Sequence, residues 1–257
     1  MIDIEALNYA DFVAFIGQVN TPPGSGSTLR WWIDKAKVSE QSHVLDLACT
    51  TGFSSREASI STRCSTFGVD ISADAICIAK ANARERGVES RCEYVTGNAE
   101  EIPAADGSFT HVFGGCNFAF IHDRGRALDE TRRVLKGEGT LCISGFHYLR
   151  PPPAGLVDEV SRQVSFRPDP IWTKEYWDGF FGRLFWKSAE RELQLRVFSP
   201  QELDAAVRKQ IFISDGPLRN ADDDTKNRCF RRLLEIRQIL NEHRAYQGVS
   251  VQTWVRA

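Results

Sequence analysis

The chain has 257 residues, enough for one α/β domain with insertions, and 34 acidic against 32 basic side chains leave a net charge of −2. That balance, with Lys and Arg spread along the chain, offers no footprint for nucleic acid, and no apolar run is long enough to span a bilayer. Seven cysteines stand singly without a C-x-x-C pair, so no zinc site, other metal site or disulfide framework is expected. With no signal-peptide pattern at the start, these are read as free thiols of a cytoplasmic protein.

The first predicted element is a helix over residues 4–17, carrying Leu7, Phe12, Phe15 and Ile16. A turn-rich loop over 18–26 follows, and Ser27 or Thr28 can cap a helix over 29–37. Residues 43–52, HVLDLACTTG, read as a buried strand ending in a tight turn, and 53–59 open a helix with Ser54 or Ser55 available as N-cap. A strand that turns into a helix N-terminus presents backbone N–H groups to a ligand, as in nucleotide sites. Residues 64–72 form a second strand whose acid, Asp70, lies 18 residues past Gly52, the spacing at which a carboxylate reaches ribose hydroxyls in dinucleotide folds. A helix over 73–86 closed by Gly87, a strand with its loop over 92–103, and a strand over 108–113 continue the βαβ rhythm.

At the end of that last strand, 117–122 place Asn117 and His122 where a doubly wound sheet binds its ligand. His122 is either a base at neutral pH or a loop histidine tied to backbone. His111, inside the strand, is read as structural. A turn over 132–139 leads into a strand at 140–144, and the proline run after 146 starts an insertion. Within it Trp172, Tyr176 and Phe180 recur every four residues and would share one helical face, with Trp177, Phe181 and Phe185 on the neighbouring stripe. One stripe packs in the core; the other is available to line a site. Beyond it the pattern predicts strands at 193–198 and 210–214, a helix from 199, a long helix over 222–244, and an alternating antiparallel strand over 248–256.

Four of these stretches resemble motifs of the class I S-adenosylmethionine-dependent methyltransferases, in the right order. They are Asp46 to Gly52, with Ala48 and Thr50 at usual glycine positions; the strand ending in Asp70; GNAEEIP at 97–103, with Asn98 where Asp is common; and RVLKGEG at 133–139. Thr110 also stands where that family often has Asp. The resemblance covers about residues 40–147. It implies a Rossmann-like α/β fold: a mostly parallel seven-stranded sheet with helices on both faces, an antiparallel last strand, and lid insertions at the N-terminus and after strand five. The whole of 1–257 is then one cofactor-binding domain, with 1–37 as N-terminal lid, 40–147 as core and 150–190 as aromatic lid.

The resemblance also implies the ligand contacts. S-adenosylmethionine would be held by Asp46 and the backbone of Ala48, Cys49, Thr50 and Gly52, by Asp70 and Ile71, by Asn98 and Ala99 at the adenine, and by Asn117. Tyr9, Asn20, Trp172 and Phe180 are candidate lid or substrate contacts, with Tyr9 alternatively packing on its helix and Asn20 serving the turn. Tyr176 and His122 are the catalytic candidates, Tyr176 because an aromatic face attracts a sulfonium. The expected reaction is methyl transfer to a small organic molecule, with no nucleic-acid or membrane partner and the oligomeric state open. A cyclase forming azetidine-2-carboxylate and methylthioadenosine from the same ligand, and a non-catalytic cofactor-binding protein in which Thr50 blocks the turn, stay as alternatives.

Overall fold

A computed structural model describes residues 3–213 and 216–256. In chain order the elements are α1 Tyr9–Phe15, α2 Ser25–Lys35, β1 His43–Leu47, α3 Phe53–Thr62, β2 Ser65–Asp70, α4 Ala73–Glu85, β3 Cys92–Thr96, β4 Phe109–Gly115, α5 Arg124–Val134 and β5 Leu135–Tyr148. Then come α6 Ala154–Val164, α7 Lys174–Phe181, β6 Phe185–Leu193, α8 Pro200–Arg208, α9 Asp223–Arg244 and β7 Gln247–Arg256. The strands form one seven-stranded sheet in the order β3-β2-β1-β4-β5-β7-β6. Strands β3, β2, β1, β4 and β5 pair in parallel, and β6 pairs antiparallel to β7. This is the expected Rossmann-like class I methyltransferase architecture, with its antiparallel last strand. The order reverses between β1 and β4, the switch point at which such sheets bind ligands beyond the strand carboxyl ends.

Two compact units divide the chain, one of residues 20–147, 174–193 and 249–257, the other of 1–19, 148–173 and 194–248. The first contains the sheet core. Leu45, Leu47, Val69, Val112, Leu141 and Ile143 from parallel strands pack with Leu128 and Val134 of α5 and with Phe181, Phe185 and Trp254. Strands buried on both faces read as continuous apolar runs, which is why β1 and β4 were legible. In the second unit Phe12 and Val13 of α1, with Ile16 just after it, join a core shared with Val207, Ile211, Cys229, Leu233 and Ile236. Arg232 donates to the carbonyls of Ile4 and Leu7 there.

Several local expectations are corrected. Helix α2 begins at Ser25 behind a left-handed Gly24, φ 83°, so Ser27 and Thr28 are no caps; their hydroxyls donate back to the carbonyls of Gly24 and Pro23. The strand expected at 193–198 lies earlier, at β6, because pairing with β7 through Leu193↔Val249 decides its limits, and 210–213 forms a π-helical turn. Ser214, the end of that expected strand, lies outside the described residues. The turn expected at 132–139 persists as a register shift, with Phe109 opposite Leu135 but His111 opposite Thr140. Ser199 caps α8 with a full capping box to Glu202, and Asp222 caps α9.

In the second unit Tyr148 Oη and His243 Nε2 lie 2.7 Å apart, both residues buried. Burial pushes the Tyr148 phenol up to about 12 and holds His243 down to about 4. The unfolded chain therefore binds a proton at His243 that the folded chain refuses as pH falls from about 6.5 towards 4. The stability that the neutral ring retains at pH 7 is lost across that window, up to about 3 kcal/mol. Urea unfolding at several pH values should show this loss in the wild type, and His243→Gln should abolish it. An identical pH slope in both would refute the assignment.

Candidate functional site

After Leu47 the backbone enters the left-handed region at alternate residues: Ala48 at φ 51°, Thr50 at 48° and Gly52 at 74°. Thr50 does adopt the conformation its β-branch disfavours, at a local cost of about 1–2 kcal/mol. Surrounding bonds over-determine the turn. Thr50 N donates to Asp70 Oδ2 at 2.9 Å, Cys49 N to Val69 O at 3.0 Å, and Gly52 N to Cys49 O at 2.9 Å. On the far side the Thr51 carbonyl accepts from Asn82 Nδ2 at 3.1 Å and from buried Arg56. Gly52 is the position that demands glycine, since a Cβ there would stand 2.6 Å from Tyr94 Oη.

Gly52, and not Ser54 or Ser55, precedes α3 as N-cap, and Asp46 does the capping from β1. Its Oδ2 accepts from Ser55 N at 2.9 Å. Burial, reinforced by the Asp70 charge, outweighs that bond and pushes the Asp46 carboxyl up to about 6. Asp70, also buried, ends β2; its Oδ1 accepts Ser72 N at 2.9 Å while Oδ2 holds Thr50. Each oxygen keeps a further acceptor site. Beside it Ile71 is 76% exposed, a large apolar side chain left in the open at the end of β2. Asn98, exposed after β3, accepts Glu100 N through Oδ1, and Ala99 is buried.

A feature not anticipated from the sequence fixes this last loop. Buried Glu130 of α5 accepts Ile102 N at 2.9 Å and takes a two-pronged ion pair from Arg133, at 2.8 and 2.7 Å. Arg133 also donates to the carbonyls of Ile102 and Ala104. The guanidinium holds the Glu130 carboxyl below the usual carboxylate range.

Beyond the carboxyl ends of β4 and β5 lies a cleft of about 440 Å³, its open mouth included. Asn117, Phe118, Ile143, Ser144, His147 and Trp177 are among its lining residues, with Phe181 and Ser250. Asn117 Nδ2 donates to Leu47 O at 2.5 Å, tying the cleft to the residue where the β1 turn starts. Asn20 is exposed on a loop of the same unit, two residues before Pro22, which rests against Gly115 at the end of β4.

The aromatic insertion differs from expectation. Helix α7 starts at Lys174, so Trp172 is not on its face; Trp172 is buried in the other unit, stacked on Phe166 at 5.9 Å. Tyr176 is half-buried with its ring edge on Trp177 and its hydroxyl 3.5 Å from Arg124 Nη1, and it is not among the cleft residues. Phe180 packs edge-on against Phe118 and Phe181. Trp177 and Phe181, the neighbouring stripe, line the cleft, and Phe185 belongs to β6 and the core. Tyr9 packs against the core of its own unit. His122 is exposed in the turn before α5. His111 is structural, with Nε2 2.9 Å from Ala36 O.

A methyltransferase-domain family model matches residues 45–143. A solved structure of an MccD protein is 41% identical, covers 93% of this chain and 100% of that one, and superposes with a TM-score of 0.83. The ubiquinone/menaquinone C-methyltransferase UbiE of Hahella chejuensis is 30% identical over 144 residues, 55% of this chain and 57% of that protein. Geranyl diphosphate C-methyltransferase of Streptomyces coelicolor A3(2), crystallised with S-adenosylhomocysteine, is 13% identical over 91% of this chain and 78% of that one, and its TM-score of 0.63 speaks for the fold alone. The chain spans about half the length of the named methyltransferases it matches in sequence. It belongs to the class I S-adenosylmethionine-dependent methyltransferases. Among the described residues no helix is long and apolar enough to cross a membrane.

Proposed function

We propose that this protein transfers the methyl group of S-adenosylmethionine to a small organic molecule seated in the cleft. The carrying observation is the Asn117–Leu47 bond, which sets an aromatic-walled cleft directly beside the β1 turn. In this reading the amides of 48–52 and the N-terminus of α3 receive the methionine carboxylate. Asp70 accepts from the ribose hydroxyls, Ile71 lies against the adenine, and Asn98 and Ala99 meet its edge. Asn20 and Asn117 assist at the methionine end. Asp46 acts by capping α3 and shaping the turn.

When bound, the sulfonium supplies an electrophilic carbon and leaves as a neutral thioether. The chain contributes alignment and exclusion of water, and Trp177 contributes a π-face for the positive charge. Trp177→Ala should therefore lower turnover three- to thirtyfold, the equivalent of about 0.5–2 kcal/mol, while affinity for neutral adenosylhomocysteine changes little. Tyr176→Ala should leave turnover nearly unchanged. The reverse ranking would return the role to Tyr176.

The test of the reaction is the product spectrum of purified protein given S-adenosylmethionine with and without a panel of small acceptors. Adenosylhomocysteine formed only with an acceptor supports methyl transfer. Methylthioadenosine would mean attack on the aminobutyrate arm, by cyclisation when no acceptor is present, and would overturn the methyl reading. Calorimetric titration with adenosylhomocysteine answers the non-catalytic alternative separately, because failure to bind would remove the cofactor contacts altogether.

A further inference from the structure

Among the described residues, two that line the cleft each carry a buried polar atom with no hydrogen-bond partner: Asn117 Oδ1, on a residue 7% exposed, and Ser144 Oγ, on a residue 0% exposed. Because Nδ2 of Asn117 is committed to Leu47 O, the atom left over is an acceptor. Buried polar atoms without partners are costly, so Asn117 Oδ1 asks for a donor on whatever fills the cleft, and the Ser144 hydroxyl can meet either a donor or an acceptor there. Around them Phe118, Ile143, Trp177 and Phe181 form apolar walls. The cation at the cleft, Lys174, is matched by Asp178 at 3.2 Å and Glu190 at 2.7 Å, so the lining does not select an anionic head.

His147 completes the lining and is 4% exposed. Ser250 Oγ donates its single hydrogen to Glu192 Oε1 at 2.8 Å. Its 3.1 Å contact with His147 Nδ1 must then be donated by the ring, which makes Nδ1 the protonated nitrogen and leaves a lone pair on Nε2. Nε2 stands 3.7 Å from Glu192 Oε2, on a side chain 46% exposed. Burial, with Lys174, holds the His147 pKa below its ordinary value against the opposing pull of Glu192, Glu175 and Glu190. The ring is therefore neutral at neutral pH and able to accept a proton.

We propose that the cleft takes an apolar-bodied acceptor presenting an O–H or N–H to Asn117 and Ser144, and that His147 removes this proton during transfer. The proposal rests on the methyl-transfer reading above. The acceptor's lone pair forms the new bond to carbon, the carbon–sulfur bond breaks with its electron pair going to sulfur, and the acceptor's proton goes to His147 Nε2. Glu192 Oε2 then takes it from Nε2 and releases it to solvent, restoring the starting tautomer.

4-Nitrophenol tests this directly, because its anion absorbs visibly, with 4-nitroanisole as the matched probe lacking a donor. On adenosylhomocysteine-loaded protein, bound nitrophenol should ionise about one pH unit lower than on His147→Gln, a tenfold change in its ionisation constant. Glu192→Gln, at a half-exposed position, should shift ionisation in the same direction as His147→Gln and guards against a folding defect in the latter. Ser144→Ala should weaken nitrophenol at least threefold and leave nitroanisole unchanged. Nitrogen NMR of the His147 ring should show Nε2 as the unprotonated nitrogen. Equal binding of the two probes, no binding of nitrophenol, identical ionisation in wild type and His147→Gln, or a protonated Nε2 would each overturn the proposal. Methylthioadenosine in the product spectrum would sink only the methyl reading, and these binding readouts would still stand by themselves.

Discussion

Asp70→Ala should weaken adenosylhomocysteine binding by about 30- to 100-fold and should also destabilise the folded protein. The first effect follows from charge-assisted hydrogen bonds to two ribose hydroxyls, where a net loss of about 2–2.7 kcal/mol corresponds to that ratio of dissociation constants. The second was not evident from the spacing of motifs. Both carboxylate oxygens already accept backbone amides, from Thr50 and Ser72, so removing them leaves two donors near the turn without their acceptor. A loss of about 1–3 kcal/mol in unfolding free energy is expected. Calorimetric titration and urea unfolding of the same variant separate the two effects. An unchanged dissociation constant would exclude Asp70 from the ligand site, whereas unchanged stability would mean that Thr50 holds its left-handed geometry without this bond.

Gly52→Ala should destabilise the protein by about 2–4 kcal/mol. The residue sits at φ 74°, where a Cβ costs about 1–2 kcal/mol by itself. That Cβ would also meet Tyr94 Oη at 2.6 Å and its ring carbons at 2.8 Å. Tyr94 cannot retreat cheaply, because it is buried and its hydroxyl lies 3.1 Å from Ser55 Oγ. Overpacking of this kind typically adds about 1–3 kcal/mol. Pairing the change with Tyr94→Phe removes the closest atom and should recover part of the loss. No recovery would leave the penalty with the backbone and the ring carbons rather than the hydroxyl. Thr50→Gly should have the opposite sign, since release of about 1–2 kcal/mol of left-handed strain exceeds the roughly 0.5–1 kcal/mol of entropy that a glycine costs.

The two replacements show how the β1 turn works without its usual glycines. Ala48 and Thr50 keep the alternate left-handed geometry because long-range partners hold it, with Asp70 20 residues away from Thr50 along the chain. Gly52 remains because Tyr94 occupies the space a side chain would need. The substitutions that made a non-catalytic reading worth keeping are thus compatible with a formed turn.

The sequence by itself determined the class of fold, the order of the cofactor motifs, and Asp46, Gly52 and Asp70 as the residues around the turn. These signals are local: apolar runs for doubly buried strands, a glycine at a strand–helix turn, an acid at a strand end. The start of α8 at Ser199 was legible for the same reason, since a cap and its partner lie within three residues. Tertiary structure alone decided which aromatic stripe lines the cleft, because that depends on how α7 docks on the sheet, and both stripes have the same periodicity. It also decided the limits of β6, which pairing with β7 sets against a weakly alternating sequence. Most of all it assembled His147, Ser250 and Glu192, which are 103 and 58 positions apart along the two contacts that join them. No window of sequence contains them together; they meet because β5, β7 and β6 are neighbours in the sheet.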